Sequence, residues 1–286
     1  MQSTLKSQKM TRRKFFDWLI RGGICTALGY TIVVEPNWFA VEKVDVPIKG
    51  LPADLDGLRI GFISDFHRGR FVTEGDISRA ARYLQRQSPD LILLGGDFVD
   101  NKADYIHSCL KMLSQLKSPL GICAVLGNHD YWTDPDLIRA SIQQTRIRLL
   151  DNESVKLKWK REQFYLVGLD DAWEGRPNLR AAFQGVPDKA VKILLVHEPD
   201  YAETLKRLPL WLPLQLSGHS HGGQVVIPFW GAPILPYLAR KYPSGLQKVT
   251  GRNRLVYTTR GVGHLLPVRF NCTPEVTLLI LRAVQT

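Results

Sequence analysis

Hydrophobic positions in this chain recur with two different periods, and from residue 58 the two alternate. Residues 58–63 form a short apolar run suited to a buried strand, and Ile77, Ala80, Ala81 and Leu84 follow at the spacing of one helical face. Residues 90–94 predict a second strand, and 105–116 a second helix with Ile106, Cys109, Leu110 and Leu113 on one side. Residues 121–126 predict a third strand, and Asp134 before Pro135 predicts a capped helix running to Thr145. Strands alternating with helices of this length imply βαβ units and a mostly parallel sheet. The second half is richer in strands, predicted at 155–159, 164–168, 191–196, 214–216, 224–227, 255–258 and 276–281. Two packed sheets flanked by helices fit this order. Residues 36–57, punctuated by Pro47, Gly50, Pro52 and Gly57, read as a linker and lead-in, which leaves 58–286 as a single α/β domain.

Composition changes little in this picture, but charge adds to it. The 286 residues are 44% hydrophobic and 23% charged, so a disordered or collagenous chain is excluded. The net charge of +11 is uneven. Up to Arg21 there are six cations, Lys6, Lys9, Arg12, Arg13, Lys14 and Arg21, against Asp17 alone, so nearly half of the excess lies in a short arm. Thirteen residues without a charge follow, from Gly22 to Val34. The Arg12-Arg13 pair with Phe15-Phe16 behind it resembles a twin-arginine export signal, and residues 1–35 are expected to be that signal or a membrane anchor. Thirteen apolar residues are fewer than the roughly 20 that cross a bilayer as a helix. Cys25, Cys109, Cys123 and Cys272 form no C-x-x-C pair and no disulfide framework. A nucleic-acid partner is not expected, since the body shows no aromatic and basic stripe.

The chemistry sits where the predicted strands end, which is where open α/β sheets form ligand sites. The endings read Ser64-Asp65-Phe66-His67, Gly95-Gly96-Asp97, Gly127-Asn128-His129-Asp130, His197-Glu198 and Gly218-His219-Ser220-His221-Gly222-Gly223. Five of the seven histidines fall in these clusters. A mixed set of carboxylate, imidazole and amide donors suits Mn²⁺, Fe or Zn²⁺.

This ordered series resembles the calcineurin-like metallophosphoesterases over about residue 58 to the C-terminus. Residues 218–224 and 257–263 are similar to the bacterial branch of twin-arginine-exported phosphoesterases and membrane-associated UDP-diacylglucosamine pyrophosphatases. The resemblance implies a four-layer α/β/β/α sandwich of two mixed sheets. It implies one divalent metal held by Asp65, His67, His221 and a bridging Asp97, and a second held by Asp97, Asn128, His197 and His219. Two such ions clamp a phosphoryl group and turn a bridging water into a hydroxide nucleophile. His129, left over from the ligand set, is the candidate general acid, with Asp130 expected to orient it.

Arg68, Arg70, Arg260 and His264 lie beside motif residues and are candidate substrate contacts, whereas mid-helix His107 reads as structural. The apolar, proline-punctuated stretch 228–242, ending in Arg240-Lys241-Tyr242, reads as a lid or lipid-facing loop or as a simple covering loop. The expected activity is phosphodiester or phosphomonoester hydrolysis on a substrate that is either free or lipid-linked, by an enzyme at the cell membrane or on its periplasmic side. One alternative is a UDP-2,3-diacylglucosamine pyrophosphatase of lipid A synthesis on the cytoplasmic face of the inner membrane. A catalytically silent metal-binding scaffold is the other, and missing ligands would signal it; none is missing.

Overall fold

Twelve strands form two mixed sheets of six, as the computed structural model of residues 11–208 and 210–284 shows. Lys6 and Lys9 of the basic arm lie outside the described residues. The strands are β1 Ala40–Lys49, β2 Arg59–Ile63, β3 Leu91–Leu94, β4 Ile122–Ala124, β5 Ile147–Leu149, β6 Glu153–Trp159, β7 Glu162–Gly168, β8 Val191–Leu195, β9 Leu214–Ser217, β10 Gly245–Lys248, β11 Leu255–Thr258 and β12 Glu275–Val284. One sheet runs β1-β12-β2-β3-β4-β5 and the other β10-β11-β9-β8-β7-β6. Within the first, β2 to β5 are parallel; within the second, β7, β8, β9 and β11 are.

The central strands are apolar on both sides because both faces are covered. In β3, Leu91 and Leu93 face the second sheet and pack with Phe164, Ile193 and Leu216, while Ile92 and Leu94 face the helices. Those helices are α2 Glu74–Gln85, α3 Tyr105–Leu113 and α5 Pro135–Gln143, and they present the predicted stripes Ile77/Ala80/Ala81/Leu84 and Ile106/Cys109/Leu110/Leu113. Thr73 and Asp76 close a capping box on α2, and the Asp134 carboxylate accepts from the Leu137 N–H at 3.0 Å to start α5. On the far face of the second sheet, Val167, Leu194 and Val196 pack against Ala182, Tyr201 and Leu205 from the short helices α6 (Leu179–Ala182) and α7 (Tyr201–Thr204) and the turn after them. The order of layers is therefore α/β/β/α.

Three departures from the sequence reading have physical causes. The stretch taken for a linker supplies β1, which pairs in parallel with β12 over ten residues. Its alternation buries Val46 and Ile48 and leaves charged residues outward, and Pro47 is tolerated because β1 is an edge strand. Strands β5 and β10, three and four residues long, were too short to leave a periodic signal. Conversely, 224–227 is no strand: the left-handed backbone of Gln224 and the turn closed by Ile227 and Gly231 leave only isolated bridges.

At the N-terminal end, α1 (Arg12–Gly29) buries none of its residues, and Phe15, Phe16 and Trp18 are exposed. Among the described residues, no helix is long and apolar enough to cross a membrane. The chain joins the body just beyond α1, where the Thr31 carbonyl accepts from the Arg269 N–H and the buried Glu35 carboxylate accepts from the Cys272 N–H.

A chain beginning at residue 51 loses β1 and with it two fully packed side chains, at about 1.5–3 kcal/mol each. Its urea midpoint is expected to fall by the equivalent of about 3–6 kcal/mol. An unchanged midpoint would show that β1 is an ornament of the sheet.

Candidate metal centre

The carboxyl ends of the parallel strands in both sheets meet at one place. There β2 hands over to Asp65 and His67, β3 to Asp97, β4 to the short helix α4 (Asn128–Thr133), β8 to His197, and β9 to His219 and His221. Each strand must turn sharply to aim a side chain at the common point. Asp65, His67, Asp97, His219 and His221 accordingly all have left-handed backbones, with φ between 44° and 70°. Such conformations cost non-glycine residues on the order of 1 kcal/mol each and cluster at functional sites. Glycines fill the places where no side chain fits. A Cβ on Gly127 would fall 2.4 Å from the Asp97 carboxylate, and one on Gly218 would fall 2.2 Å from that of Asp65.

The donors converge in overlapping groups. Asp65, His67 and His221 offer ligand atoms within 4.8 Å of one another; so do Asp97, His197 and His219, and so do His67, Asp97 and His129. The Nε2 atoms of His67 and His221 face each other at 2.9 Å. Asp97 Oδ2 is 3.1 Å from His197 Nε2 and 3.5 Å from His67 Nε2, while its Oδ1 accepts from the His129 N–H at 2.9 Å. Ring tautomers are set from outside: His197 Nδ1 meets the Gly95 carbonyl at 2.6 Å and His219 Nε2 meets the Tyr237 carbonyl at 2.7 Å. Each ring then turns its other nitrogen inward, the usual arrangement around a metal. Asp65 Oδ2, Asn128 Oδ1, His67 Nδ1, His197 Nε2 and His221 Nδ1 are buried with no hydrogen-bond partner. Three of these, Asp65 Oδ2, Asn128 Oδ1 and His197 Nε2, belong to the donor cluster, where orphaned polar atoms are costly and divalent cations would satisfy them, while His67 and His221 already turn Nε2 inward. The donor set fits such ions.

Burial governs the protonation of the cluster. It pushes His67 and His219 down to about 3 and His221 well below the ordinary imidazole range, so these three rings are neutral ligands at pH 7. Burial also lifts Asp65 to about 6, with Asp97 adding to the rise and His197 opposing it. For Asp97 burial acts upward too, but His197 and His67 beside it prevail and hold it well below the usual carboxylate range. His197 is correspondingly raised against its own desolvation by Asp97.

All seven sequence-predicted ligands, Asp65, His67, Asp97, Asn128, His197, His219 and His221, are buried in this cluster. The other candidates fare differently. His129 lines the cleft above the cluster, edge-on to His67 at 4.6 Å, but Asp130 does not orient it. The Asp130 carboxylate instead accepts from the N–H groups of Phe98 and Gly127, at 2.9 and 3.0 Å, and so splices the loops after β3 and β4. The partner of the His129 ring is Asp100, whose carbonyl lies 3.2 Å from Nδ1. Asp100 was missed because a backbone acceptor leaves no sequence signal. Arg260 is held by Glu275 at 2.8 Å and Glu42 at 2.6 Å, and Arg68 by Ser108 and the carbonyls of Gly69 and Val72. Arg70 lies over the Phe71 ring, and His264 is buried. None of these four lines the cleft; Arg68 and Arg260 are held by framework partners, and Arg70 is exposed.

Residues 58–223 match the family model described as calcineurin-like phosphoesterase. The chain is 35% identical to the phosphodiesterase YaeI of Escherichia coli K12, over 95% of this chain and 99% of that protein. It is 30% identical to the metallophosphoesterase YkuE of Bacillus subtilis 168, over 97% of this chain and all of the other. A UDP-2,3-diacylglucosamine pyrophosphatase of Chlamydia muridarum, LpxG, is 28% identical over 86% of this chain and 90% of its own length.

Asp97 touches every donor group but one, so Asp97→Asn is expected to lower Mn²⁺ affinity by more than about a hundredfold, beyond what loss of an outer-sphere partner does. Isothermal titration of the metal-free protein reads this directly. Retained affinity would remove Asp97 from the centre.

Proposed function

This chain is a metal-dependent phosphoric ester hydrolase of the calcineurin-like phosphoesterase family, and we propose that it cleaves phosphodiesters or phosphomonoesters with two divalent cations, Mn, Fe or Zn. The observation that carries the two-ion reading is that two separate donor groups, Asp65/His67/His221 and Asp97/His197/His219, are linked through a third, His67/Asp97/His129. Bound there, two ions supply a Lewis-acid clamp on the phosphoryl oxygens and lower the pKa of the attacking water. Asp97, between the groups and ionised, turns its Oδ2 toward both His67 and His197, and Asn128 Oδ1 adds a neutral donor. His129 Nδ1–H donates a hydrogen bond to the Asp100 carbonyl, and as the imidazolium the ring would deliver the Nε2 proton to the leaving oxygen, returning to the neutral Nδ1–H tautomer. Its edge contacts with His67 and Trp132 fix the plane of the ring.

The N-terminal segment supports a place on the outer side of a membrane. Arg12 and Arg13 precede exposed Phe15, Phe16, Trp18 and Leu19 on a helix that buries none of its residues, the composition of an export address that can stay as an interfacial anchor.

With Mn²⁺, Fe²⁺ or Zn²⁺ supplied, the protein is expected to hydrolyse bis-p-nitrophenyl phosphate or p-nitrophenyl phosphate and to lose the activity on chelation. His129→Ala is expected to lower kcat by about 10²–10⁴ while metal content is retained. Absence of hydrolysis with all three metals would contradict the enzyme reading, and loss of metal from His129→Ala would make that residue a ligand. A folded reporter fused after residue 50 is expected in the periplasm of a Gram-negative host, and in the cytoplasm when Arg12 and Arg13 are both lysine. Cytoplasmic retention of the unaltered fusion would refute export.

A further inference from the structure

The cleft over the metal donors, about 440 Å³, is lined by two chemically different sets of residues. Asp97, Asn128, His129, His219 and His221 form one. Trp132, Trp173, Ile234, Leu265, Leu266 and Val268 dominate the other. Hydrolysis of a phosphate ester needs only the first. Among the described residues no Lys or Arg lines the cleft, although the chain carries an excess of eleven cations, so no cationic side chain is placed there for a second phosphate. Nor is there a parallel slot for a nucleobase, because Trp132 and Trp173 meet edge to face at 80°. What the second set can hold is an uncharged, aliphatic group.

The surroundings of the mouth carry the same character outward. Val226 N–H donates to the Phe270 carbonyl and Phe270 N–H to the Gln224 carbonyl, which ties the loop after His221 to the loop that carries Leu265, Leu266 and Val268. Arg269 N–H, in the second of these loops, donates to Thr31 and so joins the end of the N-terminal helical segment to the same rim. Phe229, Trp230, Ile234 and Leu266 on these loops are 111, 83, 79 and 62% exposed, a concentration of apolar surface that marks a site of interaction.

We infer, on the strength of the hydrolase reading above, that the preferred substrate is an amphiphile: a phosphoester whose phosphoryl group sits against the metal donors and whose alkyl or acyl chain lies along Ile234, Leu266 and Val268. The exposed rim around the mouth suits a chain arriving from a lipid surface, and the apolar lining makes affinity depend on chain length.

Two measurements on the full chain test this. The first compares kcat/KM for methyl, butyl and octyl p-nitrophenyl phosphodiesters with metal present, each below its micelle concentration. KM is expected to fall by about two- to fourfold per added methylene, since full burial of one CH₂ corresponds to about fourfold. Leu266→Asp, at an exposed position, is expected to reduce the octyl-to-methyl preference at least tenfold. The second uses metal-free protein and follows quenching of tryptophan fluorescence by dodecyl phosphate brominated along its chain. Saturable quenching that Leu266→Asp weakens is expected. Turnover of the methyl diester with no chain-length dependence and no saturable quenching would overturn the inference and leave the hydrolase reading standing. Saturable quenching with no turnover of any ester would sustain the apolar site and sink the hydrolase reading instead. A preference for adenosine phosphoesters over octyl ones would also overturn the inference.

Discussion

Asp97 stands where the two sheets are closest in function, with His67 from the first sheet 3.5 Å from its Oδ2 and His197 from the second 3.1 Å away. Its other oxygen accepts the N–H of His129, so one carboxylate touches three strand ends. Bringing these ends together requires the backbone to double back within one or two residues of each strand. Five ligand positions adopt left-handed conformations as a result, and Gly96, Gly222, Gly223 and Gly261 do so between them. At on the order of 1 kcal/mol for each non-glycine, this strain is small beside the two-sheet core that opposes it. The core fixes the strand ends, and they in turn leave the donors no arrangement but convergence.

Charge is organised around the same point. The cluster is negative and desolvated, yet the cations nearest to it in the sequence are spent on the framework. Arg68 binds carbonyls of its own loop, and Arg260 pairs with Glu275 and Glu42. Fully buried Arg269 donates to the carbonyls of Arg260, Gly263 and Cys272, holding the 260–263 loop against Asp65 and Phe66, where the glycines at 261 and 263 leave no room for a side chain. The compensating positive charge is left to divalent ions, and the cleft beyond them is apolar.

Much of this was legible in the sequence, for identifiable reasons. Strand ends followed by Asp, His or Asn can be read because the strands are buried on both faces and their apolar runs are unbroken, as in Leu91–Leu94. The helices announce themselves by stripes such as Ile77, Ala80, Ala81 and Leu84. What could not be read depends on partners distant in the chain. β1 resembles a linker until β12, more than 200 residues later, gives it a pairing edge. Asp130 next to His129 suggests a dyad, but α4 turns its carboxylate toward the backbone of residues 98 and 127. Arg260 beside a glycine loop suggests a phosphate contact until Glu42 and Glu275 are found on it. The apolar lining of the cleft comes from residues 132, 173, 234, 265, 266 and 268, which no local pattern unites.

Two-ion hydrolysis, as proposed above, requires Asp65/His67/His221 and Asp97/His197/His219 each to take up an ion, close enough together to act on one phosphoryl group. Electron paramagnetic resonance of the protein titrated with Mn²⁺ tests it most directly. A spin-coupled dinuclear signal is expected to grow until two ions are bound and to be absent from Asp97→Asn. An uncoupled six-line spectrum saturating at one ion would contradict it.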